Sequence, residues 1–198
     1  MDKTSKMDRR VKYTKMVIKE SFIKLLHEKP ITKITIREIC DLSDVNRTTF
    51  YAHYHDQYDL LRQLQNELMT EIVSYLNQHT TDRAGTVSAE TLEGIFSYIK
   101  EKAEICSLFL SDNVDTNFEN QVIKLFHEWC ISTWASKRLN SKLDMEYIYT
   151  FSAYGCIGVI KKWLDEGMVK PTGEMADFVI KMTSQGLGSL SQQSIFHT

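Results

Sequence analysis

Between Arg10 and Glu28 the apolar residues Val11, Ile18, Phe22, Leu25 and Leu26 return at three- and four-residue spacing, with lysines at 12, 15, 19 and 24 between them. That is the stripe of an amphipathic helix. Pro30 ends it, and Ile31 to Ile34 reads as a short extended link. Thr35, followed three residues on by Glu38, makes a capping box, so a second helix starts at about Thr35 and lasts to about Leu42. Ser43-Asp44 is a turn signal, and Asn46 is the N-cap of a third short helix through Arg47, Thr48, Thr49, Phe50 and Tyr51. Asp56 caps a fourth, longer helix that carries Leu60, Leu61, Leu64, Leu68, Ile72 and Leu76 and ends near His79.

The polar stretch Thr80 to Thr86 is a hinge or loop, after which the helical period resumes at about 88–102, 104–111, 117–137, 143–166 and 173–187. The tail beyond Gly188 is expected to fray. With 198 residues, 42% of them hydrophobic, the chain can bury a core, while 2 prolines and 8 glycines are too few for the many corners of a sandwich or barrel. The predicted fold class is all-α. The longest nearly uncharged apolar stretch, Tyr147 to Ile160, is too short for a bilayer, which takes about 20 residues, so no membrane partner is expected. The N-terminus has no apolar core of a secretory signal, which together with dispersed cysteines predicts a cytoplasmic protein. Cys40, Cys106, Cys130 and Cys156 form no paired motif and sit among apolar neighbours, as core residues do; lysines near Cys156 leave a redox thiol as the alternative there.

Charge divides unevenly. Residues 1–55 hold 12 Lys and Arg against 7 Asp and Glu, a balance of +5, and residues 56–198 hold 12 against 19, a balance of −7. A basic head on an acidic body suggests that the head meets a polyanion.

Two short helices joined by a tight turn and preceded by a longer one have the layout of a helix-turn-helix, with the third helix as the reader. Arg47, Thr48, Thr49, Tyr51 and His53 are hydrogen-bond donors, while Val45, Phe50 and Tyr54 have the spacing to face a core. The helix starts at Thr35 and Asn46 add backbone N–H groups for phosphate. No phosphate-binding glycine loop, nucleophile elbow or H-E-x-x-H run is present, so no enzyme, cofactor or metal is predicted. An adaptor that recruits protein instead of DNA is the competing class, but it has no need of so many donors along residues 46–57.

The run from Thr35 to Leu61 resembles the DNA-binding signature of the TetR/AcrR family of bacterial regulators. The resemblance extends from about Arg9 to Leu64 and includes the Thr49-Phe50-Tyr51-x-His53-Tyr54 core, the acidic cap and the Leu60-Leu61 pair. It implies that Thr35, Tyr51, His53 and Gln57 touch phosphates and that Arg37, Arg47, Thr48 and Thr49 reach base edges. Two positions depart from the family pattern: Asp44 stands where a turn glycine is usual, and Gln57 where a lysine is usual.

Farther on, Phe151 to Met168 and the following Pro171-Thr-Gly-Glu-Met-Ala176 resemble the last two helices of a subgroup from low-GC Gram-positive bacteria that includes regulators of dihydroxyacetone kinase operons. Ser152, Gly155, Gly158 and Val159 form a narrow ridge, Ile148, Ile157, Ile160 and Leu164 supply apolar area beside it, and together with Trp163 they suit a homodimer seam. An ordinary intrachain helix is the other reading of that ridge. Phe96, Phe126, Trp129 and Tyr149, with His127 or Glu128 to orient a polar group, are candidates for the wall of an effector pocket, although aromatic stripes also fill cores. The expected organisation is therefore a helix-turn-helix DNA-binding domain at 1–55 and a ligand-sensing and dimerisation domain at 56–198. Its expected partners are double-stranded DNA, a second copy, and either a small-molecule effector or a protein co-regulator. Activation through a protein partner is the alternative to repression.

Overall fold

A computed structural model describes residues 3–79, 88–111, 114, 117–134 and 142–191, with side chains for 9–77, 88–111, 114, 118–128 and 146–183. The predicted loops at 80–86, 112–113 and 139–141 and the last seven residues of the tail lie outside the described residues. Among the described residues every regular element is helical: α1 (Lys3–Glu28), a single 3-10 turn (Ile31–Lys33), α2 (Ile36–Ser43), α3 (Arg47–Tyr51), α4 (Gln57–His79), α5 (Ala89–Glu101), α6 (Ala103–Phe109), α7 (Asn117–Trp134), α8 (Lys142–Asp165) and α9 (Thr172–Ser191).

Three elements differ from the sequence reading. Helix α1 begins at Lys3, since neither glycine nor proline interrupts Lys3 to Arg10. The link after Pro30 is a 3-10 turn because Ile31 and Ile34 both turn inward, and a single tight turn brings them to the same side. Helix α9 continues through Gly186 and Gly188 to Ser191, past the expected end at 187. A helical glycine costs only about 1 kcal/mol and stops a helix mainly where the chain must turn left-handed.

The chain divides into two units, residues 1–70 with 111–115 and residues 71–110 with 116–198, so that α4 runs through both. In the first unit Ile18, Phe22, Leu25 and Leu26 of α1 pack with Ile39, Phe50, Tyr54, Leu60, Leu61, Leu64 and Leu68. Lys19 of α1 pairs with Glu67 of α4. The Tyr54 hydroxyl and Gln65 Nε2 are buried there with no hydrogen-bond partner among the described residues.

In the second unit α5 packs along α9. Gly94 of α5 admits the Tyr75 ring of α4 so closely that a Cβ at position 94 would lie 1.4 Å from the Tyr75 oxygen. One turn earlier on α4, Glu71 accepts a 2.6 Å hydrogen bond from the Tyr98 hydroxyl. The α8 end is closed by Gly167 and Met168, both left-handed at φ 74° and 59°. Their N–H groups donate to the carbonyls of Leu164 (3.0 Å) and Trp163 (2.8 Å), which satisfies the last turn of the helix.

Candidate nucleic-acid interface

Side-chain hydrogen bonds set the helix-turn-helix. The Thr35 hydroxyl accepts from the Glu38 N–H at 3.3 Å, and the Glu38 carboxylate accepts from the Thr35 N–H at 3.0 Å, closing the capping box at the start of α2. Lys29, at the end of α1, also donates to Glu38. The Lys29 ammonium, then the Thr35 N–H and hydroxyl, hold the Glu38 carboxyl at about 2, against an ordinary 4.5. At the far end of α2, Asp44 takes the left-handed conformation (φ 52°, ψ 40°) that its place in the turn demands. The Asn46 side chain accepts from the Thr49 N–H (2.8 Å) and hydroxyl (2.9 Å), starting α3.

Burial then separates scaffold from surface. Phe50 and Tyr54 are buried and their rings pack at 5.6 Å between centroids, whereas Tyr51 between them in sequence is 56% exposed. That exposure leaves the Tyr51 ring outside the core. Burial pushes the Tyr54 hydroxyl up to about 12, so it stays protonated. Arg47, Thr48 and Arg37 are exposed; Arg37 pairs with Asp41 at 3.4 Å, a contact that solvent weakens. His53 and Gln57 are half-buried. Thr35, Asn46 and Thr49 therefore already make local bonds that build the motif, while Arg37, Arg47, Thr48 and Tyr51 remain as exposed donors. The sequence reading overlooked Tyr58, exposed beside Gln57 in the first turn of α4; a Tyr at a helix start carries no periodic signal. It also overlooked Asp59, which accepts from the His55 N–H at 3.1 Å and fixes the approach to α4.

In the body, Ile148 and Ser152 of α8 are buried, Val159 is half-buried, and Gly155 and Gly158 are exposed. Trp163 is 3% exposed and faces inward, so it offers no area to a partner. Its place on the exposed surface is taken by Tyr147, Phe151 and Tyr154, whose spacing of four and three residues was the available signal. Tyr147 and Phe151, with Phe178 and Met182 of α9, border an apolar groove of about 390 Å³ between α8 and α9. A Cβ added at Gly155 or Gly158 meets nothing within 4 Å inside the chain.

Phe96 is buried against Trp163, Tyr149 is buried, and Phe126 and His127 are half-buried, with His127 and Tyr149 rings 5.1 Å apart. The Trp129 side chain lies outside the described residues. Burial pushes the thiols of Cys106 and Cys156 up to about 12 and about 11, and raises Cys40 as well, the opposite of what a redox thiol needs. The Cys130 side chain is outside the described residues. No described helix is long and apolar enough to cross a membrane.

A TetR family model described as a transcriptional regulator C-terminal region matches residues 86–185. The uncharacterized HTH-type transcriptional regulator YxbF of Bacillus subtilis (strain 168) is 34% identical over 76 residues, 38% of this chain, and the match spans 20% of that relative's length. Among solved structures, a TetR transcriptional regulator from Streptococcus agalactiae 2603V superposes with a TM-score of 0.66 at 23% identity, over 91% of this chain and 98% of that one. The dihydroxyacetone kinase operon activator DhaS superposes with a TM-score of 0.57 at 14% identity, over 89% and 97%. These likenesses in structure agree with an all-α fold of helix-turn-helix head and helical body. The family match over half of the chain, on a fold whose second and third helices are built as a helix-turn-helix, makes this protein a member of the TetR/AcrR family of DNA-binding transcriptional regulators.

Proposed function

We propose that the protein works as a homodimer that reads a palindromic operator and represses by occluding a promoter, with residues 1–55 as the reading domain and 56–198 as the sensing and dimerising one. The observation that carries the reading is the donor face of α3, where Arg47, Thr48 and Tyr51 stand exposed on a helix anchored by buried Phe50 and Tyr54. Arg37, Arg47, Thr48 and Thr49 are assigned to base edges, and Thr35, Asn46, Tyr51, His53 and Gln57 to phosphates. Support for the dimer comes from α8 and α9. Phe151, 77% exposed, Tyr147, Tyr154, Phe178 and Met182 form one apolar face beside the glycines at 155 and 158. A two-fold pair would cover that face and present two α3 helices to half-sites whose centres lie about 10 bp, or a multiple, apart. The effector is assigned to the body near the His127–Tyr149 pair, and it acts only if it binds the two forms of the dimer unequally.

Selection of duplexes from a random-sequence library tests the reading. The expected result is an enriched palindrome, with Arg47→Ala relaxing base preference and Tyr51→Phe weakening all sequences alike by about 1 kcal/mol. Enrichment of no palindrome overturns it in favour of an adaptor. Gly158→Leu tests the seam: it has room inside the chain, so a monomer on sedimentation reports the partner helix alone, and a stable dimer places the seam elsewhere.

A further inference from the structure

Ser152 of α8 is 6% exposed, yet its hydroxyl makes no hydrogen bond among the described residues. Nearby hydroxyls are satisfied by their own helices: Thr150 donates to the Glu146 carbonyl at 2.9 Å, and Thr183 of α9 donates to the Val179 carbonyl at 2.8 Å. Polar groups this deep are nearly always paired. Unlike the Tyr54 hydroxyl, that of Ser152 is not sealed inside the core; it lines the groove between α8 and α9. Its partner therefore comes from whatever enters the groove.

No residue lining the groove is charged, which suits an apolar group that carries one polar atom. Tyr154 of α8 has that chemistry and is unemployed inside its own chain. It is 54% exposed, its hydroxyl has no partner among the described residues, and it is not part of its own groove's lining. A two-fold axis crossing α8 at right angles runs two copies of the helix antiparallel, and a contact of residue i with j then recurs as j with i. Setting Tyr154 opposite Ser152 of a second copy also sets Phe151 opposite Gly155. Phe151 is 77% exposed, and a Cβ at Gly155 would meet nothing within 4 Å inside the chain, so the bulkiest exposed ring meets a position without a side chain. One face thus carries both the knob and the hole.

We propose that Tyr154 of each copy docks in the α8–α9 groove of the other, where its phenol oxygen accepts a hydrogen bond from the Ser152 hydroxyl, and that this pair sets the register of the seam. The inference rests on the homodimer reading above and adds to it the two residues that select a second copy of this chain over another apolar helix. A lone polar contact in an apolar seam fixes register because every other pairing leaves a hydroxyl buried without a partner.

Sedimentation equilibrium of the full chain gives the dimer dissociation constant of wild type, Ser152→Ala, Tyr154→Phe and the double variant. Each single variant removes one oxygen and keeps the helix surface. Each is expected to raise the constant about 30-fold, the effect of two ordinary hydrogen bonds, since the contact occurs twice in the dimer. The double variant should be no weaker than either single one, because both remove the same pair. No loss, or additive losses, in a wild type that dimerises overturns the pairing and leaves the homodimer reading standing. A wild type that stays monomeric overturns that reading and the pairing with it, and a dimeric Gly158→Leu chain, which moves the seam elsewhere, overturns the pairing too. In the monomeric Gly158→Leu chain, Ser152→Ala should leave the urea midpoint unchanged; a lower midpoint places the hydroxyl's partner inside the chain and overturns the proposal. Cys156 lines the same groove, so its alkylation by N-ethylmaleimide, read by peptide mass, should be slower in the wild-type dimer than in the Gly158→Leu monomer. Equal rates overturn the proposal in favour of a groove left open to a small apolar molecule.

Discussion

The rings of Phe96 on α5 and Trp163 on α8 meet edge to face, 5.3 Å between centroids and 89° between planes. The indole N–H of the same tryptophan donates to the Lys170 carbonyl at 2.8 Å. Trp163 thus ties α5, α8 and the turn before α9. Trp163→Ala should lower unfolding free energy by about 3–5 kcal/mol. Trp163→Phe keeps an aromatic but loses the donor, leaves the Lys170 carbonyl to solvent, and should cost less. Urea melts of the two variants order these effects; equal losses would mean that the indole hydrogen bond, rather than the packed ring, dominates.

Asp44→Gly should stabilise the head. A left-handed aspartate carries steric strain that glycine lacks, and a gain of about 0.5–1 kcal/mol is expected with base preference unchanged. Thermal melts check the gain. A loss would show that the Asp44 side chain does more than tolerate the turn.

Glu38 should make the head acid-sensitive in a defined window. Its folded carboxyl titrates at about 2 against 4.5 when unfolded, so its contribution is complete above 4.5 and vanishes as pH falls towards 2. Glu38→Gln should therefore lower the urea midpoint at pH 7 and close the gap to wild type by about pH 2. A gap that persists at low pH would assign the effect to lost packing rather than to the charge.

Tyr54→Phe should be neutral or stabilising. The buried hydroxyl has no partner among the described residues, and removing such a group lifts a desolvation penalty of about 1–3 kcal/mol while keeping the ring against Phe50. Measured destabilisation would show that the hydroxyl is satisfied in solution.

The head was readable because its determinants are local. Thr35 with Glu38 and Asn46 with Thr49 act across three residues, and the alternation of buried Phe50 and Tyr54 with exposed Tyr51 follows from helical spacing. The body was readable as helices but less so as surfaces. Periodicity says that Phe96 and Trp163 share an apolar stripe with their neighbours; it does not say whether the stripe faces another helix of the same chain, a second copy or a ligand. Gly155 and Gly158 lie on the outside while Trp163, a turn or so later, is inside, because a 24-residue helix has room for two apolar faces. The 3-10 turn at Ile31–Lys33 was hidden for a related reason: three residues are too few to show a period, and burial of Ile31 and Ile34 decides their conformation.

The missing side chain of Gly94 fixes a register. A phenol occupies the place where residue 94 would carry its first carbon, and the flanking residues Glu93 and Ile95 both have side chains. The Tyr75 ring therefore fits one position along α5 and is excluded from the adjacent ones, much as a tooth fits a single slot of a comb. Sliding of α4 along α5 by one residue would need the ring to leave its slot and break the Tyr98–Glu71 bond one turn away. The stretch of α4 from Glu71 to Tyr75 and that of α5 from Gly94 to Tyr98 consequently shift together or not at all.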